Sequence, residues 1–177
     1  MTFVRLSSHA SHHSVRALCF SSTWLCSVAV AVVSLRPAHA EGAAAERETV
    51  QLIVDDSRAR LSIPQEVHVS IVADNALMVS VQRQLGKDDV FQLSFEEAFL
   101  RQLNDEEIRA VVAHELGHVW IFTHHPYLQT EQLANQIAMR LVPRESLEPI
   151  YDKVWKRLGT TGDLALYLGS KPTAALH

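Results

Sequence analysis

Two kinds of spacing divide the chain into strands and helices. In Val67-His68-Val69-Ser70-Ile71-Val72 the apolar residues Val67, Val69 and Ile71 fall on one side, as in a half-buried strand. Asp74-Asn75 marks a turn, Ala76 to Val81 reads as the returning strand, and Gly86 to Asp89 as a second turn. Val90 to Leu93 is a third strand, and the short apolar run Val50 to Val54 a strand upstream. The spacing then becomes helical. Ser94 with Glu97 has the form of a capping box opening a helix over Phe95 to Leu103, and Asn104 with Glu107 repeats it for a longer helix. There Ile108, Val111, Val112, Glu115, Val119 and Phe122 share one face, so Glu115 points inward from an apolar stripe. Ala110, Ala113 and Gly117 form a second stripe of small residues, which admits a close neighbour. Gly117 costs a helix about 1 kcal/mol relative to Ala, so a packing reason is expected. This helix gives way near Thr123-His124-His125-Pro126. A helix from Tyr127 or Leu128 to Val142 follows and stops at Pro143. Pro149 to Leu158 is amphipathic and capped by Gly159, and a weaker helix and loose tail begin at Thr160. The pattern predicts an α+β fold with a small, mostly antiparallel sheet upstream of the long helix.

Composition separates the first forty residues from the rest. They hold no acidic side chain, carry Arg5 and Arg16, run apolar from Ala17 to Leu35, and end Arg36-Pro37-Ala38-His39-Ala40. This is the order of a secretory leader with an A-x-A cleavage signal, so the exported chain is expected to begin at Glu41. Retained, the same run is an N-terminal anchor associating with a membrane. Either way the folded part lies outside the cytoplasm, periplasmic or secreted. The expected organisation is a leader over 1–40, an extension over 41–63, the main folded domain over 64–160 and a tail over 161–177. Both cysteines, Cys19 and Cys26, belong to the leader, which excludes a disulfide framework or a thiolate metal site from the remainder. Without the leader there are 13 basic against 20 acidic side chains and no Lys/Arg cluster, so nucleic acid is not an expected partner.

The candidate chemistry lies in His114-Glu115-Leu116-Gly117-His118. Histidines at i and i+4 stand one helical turn apart on one face, so both imidazoles can reach one zinc ion. Glu115 then reaches a water on that metal. A catalytic zinc takes a third protein ligand, and two residues compete for the place. His124 lies six residues after His118, but its use requires a sharp turn where this chain has β-branched Ile121. Glu131 shares a helical face with Ala134 and Ala138, whose small side chains let that helix approach the His114 helix. The argument from Ile121 favours Glu131.

The run from Leu93 to Val119, with Ala113-His114-Glu115-Leu116-Gly117-His118 at its centre, resembles the gluzincin metallopeptidases related to HtpX and the CAAX prenyl endopeptidases. Asp74-Asn75-Ala76 and Glu131-x-x-Ala134-Asn135 resemble two further family segments, and the likeness spans about Pro64 to Val142. It implies a zincin-like domain in which the sheet packs on an active-site helix and a glutamate helix. It also implies His114, His118 and Glu131 as zinc ligands, Glu115 as general base, and a peptide or protein substrate cleaved by an activated water. Three features depart from the family. Asn135 stands where the family has aspartate, the link from His118 to Glu131 is short, and the family's membrane helices are missing. The segment Glu131 to Pro143 is also similar to peptidases that cleave phage-type repressors, a role the leader argues against. His124, His125, Tyr127 and Tyr151 are candidates for stabilising the oxyanion, and His68 is expected to be an ordinary, partly exposed strand residue. An edge strand, Val90 to Leu93 or Ala76 to Val81, is expected to bind substrate backbone. The alternative function is a non-catalytic metal-binding or protein-interaction module on the same fold.

Overall fold

Val50, Val54 and Ser57 are buried along one side of a helix, α1 (Ala38–Arg60), not in the strand expected at Val50 to Val54. Spacing by four and then three is helical, and it prevails over the β-branched content of a five-residue run. The computed structural model describes residues 38–87 and 89–170, with side chains from 42 onward. Residues 1–37 of the expected leader and the tail beyond 170 lie outside the described residues. Among the described residues, no helix is long and apolar enough to cross a membrane.

Three strands follow, β1 (Glu66–Val72), β2 (Val79–Arg83) and β3 (Val90–Glu96), in the spatial order β1-β3-β2. The β2–β3 pair is antiparallel, from Val79 opposite Phe95 to Arg83 opposite Phe91. The β1–β3 pair is parallel, from Glu66 opposite Val90 to Val72 opposite Glu96. The sheet is therefore mixed, and the expected antiparallel character holds for one pairing of the two. Val90 to Leu93, offered above as an edge, is central, and β2 is an edge. Phe91, Leu93 and Phe95 alternate into the core at 3%, 0% and 0% exposure, which keeps the chain in β3 past Ser94. The helix expected at Phe95 thus shrinks to α2 (Glu97–Leu100). The Ser94 hydroxyl meets that of Ser70 across the sheet at 3.0 Å instead of capping a helix. The other edge is covered by Gln51 of α1, whose amide donates to the Val67 carbonyl and accepts from the Val69 N–H, both at 2.9 Å. That satisfies backbone groups an open edge strand would present to another chain.

Helix α3 (Asp105–His124) opens on a complete capping box. Asn104 Oδ1 accepts the Glu107 N–H at 3.0 Å and the Glu107 carboxylate accepts the Asn104 N–H at 2.8 Å. Burial pushes the Glu107 carboxyl up, but Lys153 at 2.6 Å and the Asn104 amide outweigh it and hold it below its ordinary value. Helix α4 (Glu131–Ala138) is shorter at both ends than the expected span from Tyr127 to Val142. The Thr130 hydroxyl accepts the Leu133 N–H at 3.1 Å and sets its start, and residues 139–142 close on the helix end in a turn. Helix α5 (Arg144–Leu158) begins directly after Pro143 and carries Pro149 inside it, so it starts before the expected Pro149. Gly159 caps it at φ 64°, in the left-handed region that glycine adopts freely. The last element among the described residues is α6 (Leu164–Leu168).

The small-residue stripe of α3 meets α4. A Cβ built on Gly117 would stand 2.4 Å from the Ala134 carbonyl oxygen and 3.0 Å from its Cα. Both are backbone atoms that cannot rotate away. Gly117→Ala is therefore expected to destabilise the protein by about 1–3 kcal/mol, the usual range for overpacking. Alanine's better helix propensity, worth about 1 kcal/mol, offsets only part of such a clash. Urea unfolding measures the difference; a variant as stable as the wild type would show that α4 is free to move away from α3.

Candidate active site

The helical spacing in α3 brings the His114 and His118 rings to 4.8 Å between centroids, edge to face. Their Nε2 atoms are 3.2 Å apart. Glu131, the first residue of α4, reaches both: Oε2 is 3.2 Å from His114 Nε2 and Oε1 is 3.6 Å from His118 Nε2. These three side chains form a group that could hold a metal ion, with one ligand atom of each within 4.8 Å of the others. The structure thus brings His114, His118 and Glu131 together. His124 is elsewhere: its ring stacks on Trp120 at 4.2 Å and its Nδ1 lies 2.9 Å from the Trp120 carbonyl. Ile121 is fully buried within α3, so the helix does not turn there.

Hydrogen bonding fixes the form of both imidazoles. Gln129 Nε2 donates to the His118 carbonyl at 3.2 Å, which leaves Oε1 to accept from His118 Nδ1 at 3.2 Å. Asn135 Nδ2 donates to the Tyr167 carbonyl at 2.9 Å and to the Tyr151 hydroxyl at 2.6 Å, which leaves Oδ1 for His114 Nδ1 at 2.8 Å. Each neutral imidazole then carries its proton on Nδ1 and turns a lone pair outward on Nε2. Two such lone pairs facing each other repel unless a proton or a metal cation lies between them. Tetrahedral ligands at about 2.0–2.1 Å from a metal stand roughly 3.3 Å from one another, close to the separations here. The donor set fits a metal ion. Sequence reasoning missed Gln129, which has no motif to announce it, and the Tyr167 carbonyl, which no side chain encodes.

Electrostatics follow from this clustering. Burial pushes the Glu115 carboxyl up against the lowering influence of His114, His118 and the Val81 amide. Burial also pushes Glu131 up, but the two histidines beside it prevail and hold it far below the ordinary carboxylate range. Burial pulls His118 down, but Glu131 and then Glu115 raise it above its usual value. Burial raises the Tyr151 phenol.

Glu115 also lies beside an edge of the sheet. Glu96 N–H bonds to the Met78 carbonyl and Gln84 N–H to the Val90 carbonyl, so the even-numbered residues of β2 face β3. Val79, Val81 and Arg83 turn their backbone groups outward, and the Val81 amide meets the Glu115 carboxylate. Before β2, Met78 adopts φ 63° with Val79 N–H bonded to the Leu77 carbonyl at 2.7 Å. A non-glycine residue there is strained, and Asn75 braces it by accepting from Leu77 N–H and donating to Ser80 and the Ser94 carbonyl. Next to this turn opens a cavity of about 270 Å³, walled by Met78, Phe99, Val111, Leu147, Ile150 and Val154 and reaching His114, Glu115 and Glu131. Of the candidates for oxyanion stabilisation, Tyr151 lines this cavity, Tyr127 is 98% exposed, and His125 packs against Trp120 at 5.9 Å. His68 is half-exposed and 3.2 Å from Glu66, the ordinary strand position expected of it.

A mixed α+β fold with an H-E-x-x-H helix and a third converging carboxylate defines the metallopeptidase class. The model of peptidase family M48 matches residues 44–148, more than half of the sequence, and the chain belongs to that family. A comparison with curated proteins returned no match. Among solved structures, the chain is similar to the crystal structure of the metallopeptidase zymogen of Pyrococcus abyssi abylysin. The two share 18% identity over 64% of this chain and 99% of that one, with a TM-score of 0.46.

Proposed function

We propose that the protein is a zinc-dependent endopeptidase in which His114, His118 and Glu131 hold the metal and Glu115 is the general base. The observation that carries this reading is the buried Glu115 carboxylate beside three side chains whose donor atoms converge on one point. A structural metal site has no need of such a carboxylate. Zinc bound there supplies Lewis acidity and lowers the pKa of a coordinated water toward about 7. Glu115 accepts a proton from the attacking water and returns it to the leaving amine. The outward carbonyls of β2 bind the substrate backbone as an added strand. The apolar cavity receives a side chain as large as Leu or Phe next to the scissile bond. Ala113 to His118 and Glu131 to Asn135 support kinship with the HtpX and CAAX prenyl endopeptidases, and the leader supports export with the domain outside the cytoplasm.

Incubating the purified protein with a mixed peptide library and identifying the products by mass spectrometry tests this. Internal cleavage is expected, abolished by a chelator, restored by zinc, and concentrated beside large apolar residues. Cleavage indifferent to the chelator would refute the zinc mechanism. Zinc-dependent cleavage beside charged residues would refute the role given to the cavity.

A further inference from the structure

The amide of Asn135 is fully buried and makes three hydrogen bonds, and one of its partners can only accept. The Tyr167 carbonyl, 2.9 Å away, has no proton to give, so the side of the amide facing it must be Nδ2. The Tyr151 hydroxyl sits on the same nitrogen at 2.6 Å, which uses both N–H groups. Oδ1 is left facing His114 Nδ1 at 2.8 Å, and an oxygen there demands a proton from the ring. In the neutral ring His114 Nε2 is then the unprotonated nitrogen, facing His118 and, at 3.2 Å, the Glu131 carboxylate, where a metal ion takes the place of a proton. The orientation of one imidazole is thus decided by a backbone carbonyl in the last helix of the described chain. That helix and Tyr151 both lie beyond residue 148, where the family match ends.

The same contacts account for Asn rather than Asp at this position. A carboxylate would also accept from His114, but its second oxygen would face the Tyr167 carbonyl with no proton between them. Only the Tyr151 hydroxyl could turn to donate. A buried acceptor left unpaired, beside another acceptor, is the costly case among buried polar groups. Helix α6 is itself fastened from outside the site. Arg144, at the start of α5, donates to the Leu168 carbonyl at 2.7 Å and to that of Gly169, and the Leu168 side chain is 5% exposed.

We propose that helix α6 is a positioning part of the metal centre, its Tyr167 carbonyl fixing the Asn135 amide and, through it, the tautomer of His114. The proposal rests on the reading of His114 as a metal ligand. Its consequence is that zinc affinity depends on how firmly α6 is fastened, and that Asp at 135 is a poorer partner than Asn despite its charge.

The test uses the full chain with Arg144→Ala and Leu168→Ala, two independent ways of loosening α6 that touch no group of the site, and Asn135→Asp. Hydrogen exchange verifies that α6 has been released in the first two. Zinc affinity is read by competition with a chromophoric chelator, and the His114 tautomer of the metal-free protein, at a pH where the ring is neutral, by long-range proton–nitrogen NMR. Wild type is expected to show the proton on Nδ1. Both loosened variants are expected to show a mixed tautomer and zinc binding weakened about 10–100-fold, the range for outer partners of ligand histidines. Asn135→Asp is expected to bind zinc more weakly than wild type. Unchanged affinity and tautomer with α6 exchanging freely would overturn the proposal, as would tighter binding by Asn135→Asp. Absence of zinc binding by the wild type would instead overturn the metal-centre reading beneath it.

Discussion

Glu115→Gln is expected to keep the fold and the zinc and to lose about 10²–10⁴-fold in kcat, the contribution of a positioned general base. The amide has the size of the carboxyl and can still occupy its buried place on α3, but it cannot take a proton from water. Its effect on stability separates this loss from unfolding. Burial raises the Glu115 carboxyl, so its ionised form is a burden on the metal-free protein. That burden is absent below the ordinary carboxylate pKa, grows as the pH rises through the interval up to the raised value, and is complete above it. Glutamine never ionises. Metal-free Glu115→Gln should therefore be at least as stable as wild type at neutral pH, and urea unfolding of the two chelated proteins checks this. Steady-state turnover on a cleaved peptide, with zinc content measured on the same samples, checks the catalytic claim. A variant that binds zinc and turns over like the wild type would remove the peptidase mechanism and leave the non-catalytic metal-binding module in its place.

What the sequence disclosed about this site was local. His114, Glu115 and His118 stand on one turn of helix, and the capping box of Asn104 and Glu107 fixes where that helix begins. Gly117 could be read as a close approach because a glycine inside a strong helix calls for a neighbour, and the Ala134 backbone supplies it. Glu131 required one step more, from the β-branched Ile121 to a helix that cannot turn there. Where two local signals compete, the one that buries a whole face prevails. Ser94 and Glu97 have capping spacing, yet the two-residue alternation of Phe91, Leu93 and Phe95 decides for strand because a whole face is buried by it. Val50 to Val54 looks like a strand until Ser57 and Leu61 are counted with it as a buried side. The strand order was not legible either, since nothing within β1 says that β3 inserts between it and β2. The supports of the histidines lie further out of reach. Gln129 acts because of where the loop after α3 returns, and the Tyr167 carbonyl belongs to the backbone, which every sequence contains.

Glu131→Ala is expected to abolish stable zinc binding, while His124→Ala leaves it unchanged. Glu131 is held ionised far below the ordinary carboxylate range, because the two histidines beside it outweigh its burial, so it is an anion at any working pH. Without it two neutral imidazoles remain, with no charge to balance a divalent cation. The loss should exceed the roughly 10–100-fold that removal of an outer hydrogen-bond partner brings. Part of any change in stability has a separate origin: a carboxylate in the first turn of α4 interacts favourably with the helix dipole by about 0.3–1 kcal/mol. Glu131→Gln keeps the shape without the charge, and it should also bind zinc poorly. His124, stacked on Trp120 and turned to a backbone carbonyl, contributes a surface contact instead of a ligand. Metal content after dialysis, measured by atomic emission on the four proteins, decides the matter. Zinc retained by Glu131→Ala and lost by His124→Ala would mean that the end of α3 unwinds at Ile121 when metal binds, and that the third ligand is the histidine.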